Sequence, residues 1–259
     1  MAVHQCFFCN QPLNAYANNC PQCGQPQLLQ AKYRLIGLLG QGGFGIVYEA
    51  KDVRLNRRYA IKIITATNAT QQSQVEAEAN ILAQYARQFP FIPEIYDIWS
   101  DGPRTYLVME FVEGQTVGEL ITQSAWQPSQ VEHFLRVVLR DLGQLHDINI
   151  IHRDIKPDNT KRTPKGSYVL LDFGISKQQG ATLTGAKALS PYYSSPEQVR
   201  GQATDARSDL YSLGATAYHL VTGTLPIPSE FRASMGIMVL YPAKSMPCLG
   251  LLSSLPEEK

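Results

Sequence analysis

The sequence has few charged residues, and its first thirty positions have none. Asp, Glu, Lys and Arg make up 17% of the 259 residues, whereas a globular protein commonly has about 25%. The 23 basic and 22 acidic side chains leave a formal net charge of +1, which indicates no nucleic-acid partner. A hydrophobic fraction of 44% excludes a disordered chain and indicates a globular one.

Two kinds of apolar segment are also missing. The sequence has no run of about 18 apolar residues, so no membrane-spanning helix is expected. It has no basic start followed by an apolar stretch, so no secretory signal is expected. These two absences predict a cytoplasmic protein.

Composition divides the chain into three parts. Residues 1–30 hold four of the five cysteines. Residues 231–259 contain three prolines and little charge, with no sustained helix or strand period. The predicted organisation is a small module at 1–30, a main domain at 33–230 and an atypical tail at 231–259.

The four N-terminal cysteines are spaced like the ligands of one metal ion. Cys6 and Cys9 form one CxxC pair, and Cys20 and Cys23 form a second. Four thiolates are a usual tetrahedral ligand set for structural zinc. Because the segment has too few apolar residues to fold unaided, the metal would supply its folding energy. The prediction is a zinc-ribbon-like module.

Two disulfides, a redox-active CxxC pair and an iron site are the alternatives to zinc. Nothing marks the chain as secreted, which argues against disulfides. A redox CxxC usually begins a helix of a βαβ unit, which is not predicted here. Because the module has no Lys or Arg, we expect it to bind a protein partner, if any, rather than nucleic acid. The remaining cysteine, Cys248, is expected to be a packing residue.

A glycine-rich segment between two predicted strands is the first of several phosphate-binding motifs. A strand at 33–39 precedes it, and a second strand opens at Val47. Glycines allow backbone amides to approach phosphate oxygens closely. A dinucleotide-binding fold would place a helix directly after the glycines, but β-branched residues follow. The prediction is therefore a strand–loop–strand whose loop residues are Gly40, Gln41, Gly42, Gly43, Phe44 and Gly45.

A lysine and a glutamate follow this loop. Lys62 lies in an apolar strand at 59–64, where it can reach the phosphates or serve as an edge-strand charge. A helix predicted over about 73–87 contains Glu76 and Glu78. Its apolar positions favour Glu78 as the partner of Lys62, and Glu76 is expected to be solvated.

The strongest motif is HRDIKPDN at residues 152–159, followed by DFG at 172–174 after an apolar strand at 168–171. An apolar stripe over 129–146 predicts a core-facing helix that leads into this segment. The order and spacing of the motifs resemble those of the protein kinase family, specifically the eukaryotic-like Ser/Thr kinases of bacteria. A four-cysteine head before such a kinase is similar to a group found in cyanobacteria.

Further matches extend the resemblance over about residues 33–228. Residues 108–112 resemble the hinge between the lobes, and Ser190 and Pro191 stand in the family's substrate-docking loop. Residues 195–197 stand where the family has APE. Asp209 begins a motif that resembles the family's buried helix, predicted over 208–225, which anchors the catalytic loop.

This resemblance implies an α+β, two-lobed protein kinase fold. The β-rich small lobe would span about 33–109 and the helical large lobe about 113–230. The implied activity is transfer of the ATP γ-phosphate to Ser and Thr hydroxyls of protein substrates, in signalling.

The resemblance also assigns catalytic roles. Asp154 would accept or orient the proton of the attacking hydroxyl. Lys156 would neutralise the γ-phosphate. Lys62, held by Glu78, would bind the α- and β-phosphates.

The implied cofactors are ATP with Mg²⁺ or Mn²⁺, in addition to the zinc. Asn159 and Asp172 would hold the magnesium ion through oxygen atoms. Besides the glycine loop and Lys62, the residues implied to bind ATP are Val47, Ala60, Met109, Glu110 and Val112.

The sequence departs from the family after about residue 228. Relatives continue through more helices, which supply an arginine for the glutamate at position 197. Arg232 is the only downstream arginine, and its context differs, so Glu197 is expected to lack its partner and the large lobe to be incomplete. The alternatives are then an ATP-binding, pseudokinase-like scaffold, or an interaction protein with a vestigial kinase part. Thr160 also stands where the family has an apolar residue.

Phosphorylation of the segment after DFG is a further expectation. Thr182 and Thr184 are the candidate sites, because a phosphate there could pair with Arg153 and order the loop. The alternative is an unmodified, flexible loop.

Overall fold

The chain divides into two compact units, Met1–Glu113 and Gly114–Lys259. A computed structural model describes residues 4–6, 8–9, 11–14, 17–42, 45–173 and 190–234, with the side chains of 4–5 and 232–234 left out.

The first unit is built on antiparallel strands. A small hairpin, β1 (His4–Gln5) and β2 (Pro12–Leu13), lies beside the first cysteine pair. A six-stranded sheet follows, in the order β3-β4-β5-β6-β8-β7. Its strands are β3 (Leu28–Leu29), β4 (Tyr33–Gly42), β5 (Gly45–Asp52), β6 (Arg58–Thr65), β7 (Ile95–Asp101) and β8 (Arg104–Glu110).

Strands β4 and β5 confirm the predicted strand–loop–strand order, but the predicted loop is too long. Gly40, Gln41 and Gly42 lie in β4 and Gly45 lies in β5, because the two strands stay paired through these residues. These strands pair antiparallel up to Gly42, which lies opposite Gly45. Of the predicted loop residues, Gly43 and Phe44 lie outside the described residues. The strand predicted at 59–64 is also present, as β6.

Helix α1 (Ala69–Ala86) begins earlier than the predicted start near residue 73. Asn68 fixes its beginning, because the side-chain oxygen of Asn68 accepts a hydrogen bond from the N–H of Gln71 at 2.8 Å. The first turn is polar, so the apolar pattern alone could not locate it. The buried residues of α1 recur at steps of three or four: Val75, Ala79, Leu82 and Ala86.

The strand register shows which residues lie on each face of the six-stranded sheet. Residues opposite each other in neighbouring antiparallel strands share a face, as do residues two apart in one strand. Val47 lies opposite Lys62, and Ala60 lies opposite Met109, so these four residues share one face. The other face carries a buried core that contains Tyr33, Leu35, Tyr48, Ala50, Tyr59, Ile61, Ile63, Tyr106 and Val108.

The cysteine-rich segment contributes to that second core. Leu29 is one of its buried residues, and Phe8 packs against it. Because the core lies on the face opposite Lys62, the cysteine-rich segment packs on the back of the sheet.

The second unit is mainly helical. Its three-stranded sheet has the order β11-β10-β9, with strands β9 (Gln115–Thr116), β10 (Thr160–Arg162) and β11 (Tyr168–Leu170). A 3₁₀ turn covers Pro157–Asn159. The helices are α2 (Val117–Ile121), α3 (Pro128–His146), α4 (Pro196–Val199), α5 (Ala206–Thr222) and α6 (Ser229–Ser234).

Helices α3 and α5 pack against each other and match the two helices predicted in this unit. The apolar stripe predicted for α3 is confirmed, since Val131, Phe134, Val138, Leu142 and Leu145 are fully buried. Helix α5 ends before the predicted residue 225 because Gly223 adopts a left-handed conformation, with φ of 67°. The predicted α+β class is confirmed.

Helix α6 continues to Ser234, although no regular structure was predicted beyond residue 230. The rest of the tail, including Cys248, lies outside the described residues. No helix in the described ranges is both long enough and apolar enough to cross a membrane.

Candidate active site and metal centre

The segment around Asp154 is anchored by Asp209 of helix α5. The fully buried carboxylate of Asp209 accepts hydrogen bonds from the backbone N–H of His152 at 2.8 Å and of Arg153 at 2.7 Å. The ring nitrogen Nε2 of His146 lies 2.9 Å from the same carboxylate. Because a buried carboxylate must be hydrogen-bonded, these contacts satisfy Asp209 and fix the segment. The anchoring predicted for this motif is confirmed.

Asp154 is buried and held in one orientation. The amide nitrogen Nδ2 of Asn159 donates to Asp154 Oδ2 at 2.7 Å and to its backbone oxygen at 3.0 Å. The ammonium group of Lys156 lies 3.3 Å from the same Oδ2. A carboxylate oriented in this way can accept or orient the proton of a bound hydroxyl.

Ser190 connects these two groups. Its hydroxyl oxygen accepts a hydrogen bond from Lys156 Nζ at 2.9 Å and donates a long one to Asp154 Oδ1 at 3.4 Å. The sequence placed Ser190 in the substrate-docking loop but predicted no contact with either residue. The structure therefore brings Ser190, at the predicted docking loop, directly against Asp154.

Asn159 and Asp172, the predicted magnesium ligands, lie on adjoining segments. The N–H of Leu171 donates to the backbone oxygen of Asn159 at 2.7 Å. Asp172 follows with φ of 54°, a left-handed conformation that is uncommon for a residue other than glycine. Phe173 packs with its ring centroid 4.3 Å from that of His152. Both residues offer the oxygen ligands that Mg²⁺ prefers, and magnesium binding stays a prediction.

Arg153, the predicted partner of a phosphorylated loop, has another partner in this structure. Its Nε donates to the hydroxyl of Thr204 at 3.1 Å. The candidate phosphorylation sites Thr182 and Thr184 lie outside the described residues, so their role stays a prediction.

Two departures from the family pattern are accommodated by hydroxyl groups. Thr160 is fully buried, and its hydroxyl donates to the backbone oxygen of Lys156 at 3.3 Å. Glu197 accepts a hydrogen bond from the hydroxyl of Ser208. Burial raises the pKa of Glu197, but hydrogen bonding, chiefly from the Ser208 hydroxyl, outweighs it and holds the pKa below its usual value. Glu197 therefore has a hydrogen-bond partner in Ser208, and the expected lack of an arginine partner stays a prediction, because the side chain of Arg232 lies outside the described residues.

The predicted ATP-binding residues of the first unit occupy β4, β5, β6, the end of β8 and the segment that follows it. Lys62 is buried in β6, on the same face as Val47, Ala60 and Met109. Gly40, in β4, lies opposite Val47 and so brings the glycine segment to this part of the sheet. The other predicted residues in the described ranges are Gln41 and Gly42 in β4, Gly45 in β5, the exposed Glu110 and the buried Val112.

Helix α1 carries the two candidate partners of Lys62. Glu78 is half-buried, next to the buried Ala79. Glu76 was expected to be solvated, but it accepts a hydrogen bond from the hydroxyl of Ser100 in β7. The pairing of Lys62 with Glu78 stays a prediction.

Replacing Gly45 with alanine is expected to destabilise the first unit by about 1–3 kcal/mol. Gly45 has φ of 128°, and an added Cβ would overlap the backbone oxygen of Ile63 in β6. Gly40→Ala is the matched control, because nothing lies within 4 Å of the added Cβ there. Thermal denaturation should show a lower Tm for Gly45→Ala only; equal Tm values would contradict this prediction.

The four N-terminal cysteines form one cluster. Their sulfur atoms all lie within 4.8 Å of one another. Cys6 Sγ and Cys23 Sγ are 3.5 Å apart, and Cys9 Sγ and Cys20 Sγ are 3.7 Å apart. Four sulfurs around one zinc ion, each at about 2.3 Å, would be separated by about 3.8 Å. All four cysteines are free, so the structure does not support the disulfide alternative.

The pKa values of these thiols are split, with that of Cys20 lowered and those of Cys9 and Cys23 raised. The N–H of Cys23 lowers the pKa of Cys20 to about 7, with help from the N–H of Gln22 and against burial. The N–H of Gln11 lowers the pKa of Cys9, but burial and the other three cysteines outweigh it and raise the pKa to about 12. Since like charges oppose one another, all four thiolates can coexist only around a cation.

Two arginines of the sheet hold the cysteine module. Arg34 of β4 donates to the backbone oxygen of Ala17 at 3.0 Å and to Asn18 Oδ1 at 3.1 Å. Arg104 of β8 donates to Gln25 Oε1 at 3.0 Å. Sequence reasoning missed both arginines, because nothing local distinguishes them from surface charges.

Two further contacts involve the cysteine-rich segment. The Arg104 guanidinium lies 5.4 Å from the centroid of the Phe8 ring. Gln27 is buried, and its Nε2 donates to Cys6 Sγ at 3.5 Å. The cysteine-rich segment, through residues other than its cysteines, therefore shares both hydrogen bonds and a core with the six-stranded sheet.

Comparison with known proteins identifies the family. Residues 33–246 match the protein kinase domain, so the match runs past residue 230 into the region predicted to be an atypical tail. Serine/threonine-protein kinase PknB of Mycobacterium leprae is 36% identical over 222 residues, which cover 81% of this chain and 35% of that protein. A probable serine/threonine-protein kinase of Clostridium perfringens is 32% identical over 237 residues, which cover 89% of this chain and 34% of the relative.

PrkC of Bacillus subtilis, also a serine/threonine-protein kinase, is 31% identical over 214 residues, which cover 81% of this chain and 33% of that protein. The chain thus spans about a third of the length of these relatives. Because the family match covers well over half of the sequence, the chain belongs to the protein kinase family.

Proposed function

We propose that this chain is a serine/threonine protein kinase that transfers the γ-phosphate of ATP to protein hydroxyls. The observation that carries the proposal is the arrangement around Asp154, which is oriented by Asn159 and accompanied by Lys156. Phosphoryl transfer needs a positioned hydroxyl and compensation of the charge on the phosphate oxygens. Asp154 meets the first need, and Lys156 contributes to the second.

The proposed cofactors are ATP and Mg²⁺ or Mn²⁺. A bound metal ion would supply positive charge that offsets the negative charge of the phosphate oxygens. Asn159 and Asp172 would hold it through their side-chain oxygens. In the first unit, Lys62 and the glycine segment would hold phosphates, while Val47 and Ala60 would contribute to the adenine site.

The proposed role of the four cysteines is to bind structural zinc. The sulfur separations and the incompatibility of four uncompensated thiolates support this assignment. The zinc-ribbon-like character of the module, a protein partner for it, the cyanobacterial type and the cytoplasmic location stay predictions of the sequence.

Two linked measurements test the proposed function. Mg-ATP at about a hundred times its Kd should stabilise the protein by about 2.7 kcal/mol, which appears as a higher Tm. Asp172→Asn should lose the magnesium-dependent part of this shift, and the wild type should transfer labelled phosphate to a protein substrate. Stabilisation without transfer would favour the ATP-binding scaffold, and absence of both effects would favour the vestigial kinase.

A further inference from the structure

The side chain of Gln198 connects the N-terminus of helix α4, at Ser195, to the catalytic segment, at Arg153. Its Oε1 accepts hydrogen bonds from the N–H of Ser195 at 3.0 Å and from the hydroxyl of Ser195 at 3.2 Å. Its Nε2 donates to the backbone oxygen of Arg153 at 2.7 Å. The partners fix the orientation of the amide, because the N–H of Ser195 can only donate and the carbonyl of Arg153 can only accept. With 9% of its surface exposed, Gln198 makes these bonds largely out of contact with water.

The carbonyl that Gln198 binds belongs to the peptide unit directly before Asp154. The N–H at the other end of this peptide, that of Asp154, lies 3.3 Å from Nδ1 of His152. Arg153 itself is in a left-handed conformation, with φ of 65°, and Asp209 binds its N–H. Non-glycine residues keep such a conformation only where their surroundings hold them.

We propose that Gln198 is a positioning residue for phosphoryl transfer. By holding the oxygen of Arg153, it fixes the rotation of the peptide unit between Arg153 and Asp154, and with it the direction of the Asp154 carboxylate. Asp209 alone cannot do this, because it binds the N–H on the other side of Arg153. The proposal rests on the proposed kinase activity, but the geometry it describes can also be measured without that activity.

Gln198→Leu and Gln198→Glu separate positioning from packing. Gln198→Leu removes both hydrogen-bonding functions, and we expect kcat to fall about tenfold or more, while the KM for ATP stays unchanged. A carboxylate at position 198 accepts from Ser195 but cannot donate to Arg153. A protonated carboxyl group can do both, so kcat of Gln198→Glu relative to wild type should rise as the pH falls.

Other charged groups near residue 198 also titrate or change the electrostatic potential at the carboxyl group of Gln198→Glu. They are Arg153 and Asp209 in the catalytic segment and α5, His146 of α3, and Glu197 next to Gln198 itself. All of them are present in both proteins, so the ratio of the two kcat values removes their shared effects. Gln202→Glu is the matched control, because Gln202 is exposed and lies just after α4; its ratio to wild type should not depend on pH.

Hydrogen–deuterium exchange gives a readout that needs no turnover. Gln198→Leu should speed the exchange of the peptide covering residues 152–156, while exchange in α3 stays as in the wild type.

Unchanged exchange in that peptide, a KM rise equal to the kcat loss, or a pH-independent Gln198→Glu ratio would each overturn the proposal. A Gln198→Glu protein that is unfolded at every pH would overturn it as well, since it would show a purely structural role. An inactive wild type would count against the proposed function, and the exchange result would still decide the role of Gln198.

Discussion

Asp154→Asn is expected to lower the rate of phosphoryl transfer by about a hundredfold to ten-thousandfold. Asparagine has nearly the same size, and its side-chain oxygen can still accept the hydrogen bond that Asn159 donates at 2.7 Å. It cannot accept a proton from the attacking hydroxyl, and it has no charge to pair with Lys156. The fold and the binding of Mg-ATP should therefore be retained while transfer is lost.

The measurement is transfer of labelled phosphate, with the Mg-ATP thermal shift measured in parallel on each protein. Asp147→Asn is the matched control, because Asp147 is exposed at the end of helix α3 and lies close before the catalytic segment. This control should transfer phosphate at the wild-type rate. If Asp154→Asn kept most of the wild-type rate, the role of Asp154 would be refuted.

The elements that were predicted correctly are those whose information is local in sequence. The apolar stripe of α3 repeats at helical spacing, and all five of its most buried residues lie on it. The β-branched residues after the glycine segment distinguished a strand from a helix, and β5 confirms that choice. Periodicity and residue type are sufficient to predict such elements, because one face of each element is buried.

The element ends were predicted less well, for a different physical reason. The start of α1 depends on one hydrogen bond that the Asn68 side chain accepts from the N–H of Gln71, and the end of α5 depends on the left-handed conformation of Gly223. Both are local features, but several neighbouring positions could begin or end the helix equally well. Apolar periodicity carries no information about which one is used.

Contacts between distant side chains could not be predicted from one sequence. Gln198 and Arg153 are 45 positions apart, and Arg104 and Gln25 are 79 positions apart. The family pattern indicated that the arginine partner of Glu197 was missing, but it did not indicate that the Ser208 hydroxyl would donate a hydrogen bond to Glu197. This hydrogen bond depends on the distance between Glu197 in α4 and Ser208 in α5, which only the folded structure defines.

Removal of the metal from the four cysteines is expected to destabilise the six-stranded sheet and not only residues 1–30. Leu29 and Phe8 belong to the core on the back of that sheet, and Arg34 and Arg104 bind the module from two of its strands. Zinc binding to a small structural site supplies about 10–16 kcal/mol, which is as large as the whole stability of a typical domain. Loss of the metal should therefore lower the Tm of the first unit and weaken ATP binding by the strands that carry Val47 and Lys62.

Metal analysis of the purified protein should first give one zinc ion per chain; one iron ion would refute the assignment of zinc. A chelator or Cys20→Ser should then lower the Tm and speed hydrogen exchange in β5, β6 and β8, whereas Cys248→Ser, the matched control, should keep the metal. The double variant Arg34→Ala and Arg104→Ala should bind zinc but show a smaller loss of sheet stability on chelation, because the module is then held less tightly. Exchange that speeds up only within residues 1–30 on chelation would contradict the prediction, since it would show that the module unfolds independently of the sheet on which it packs.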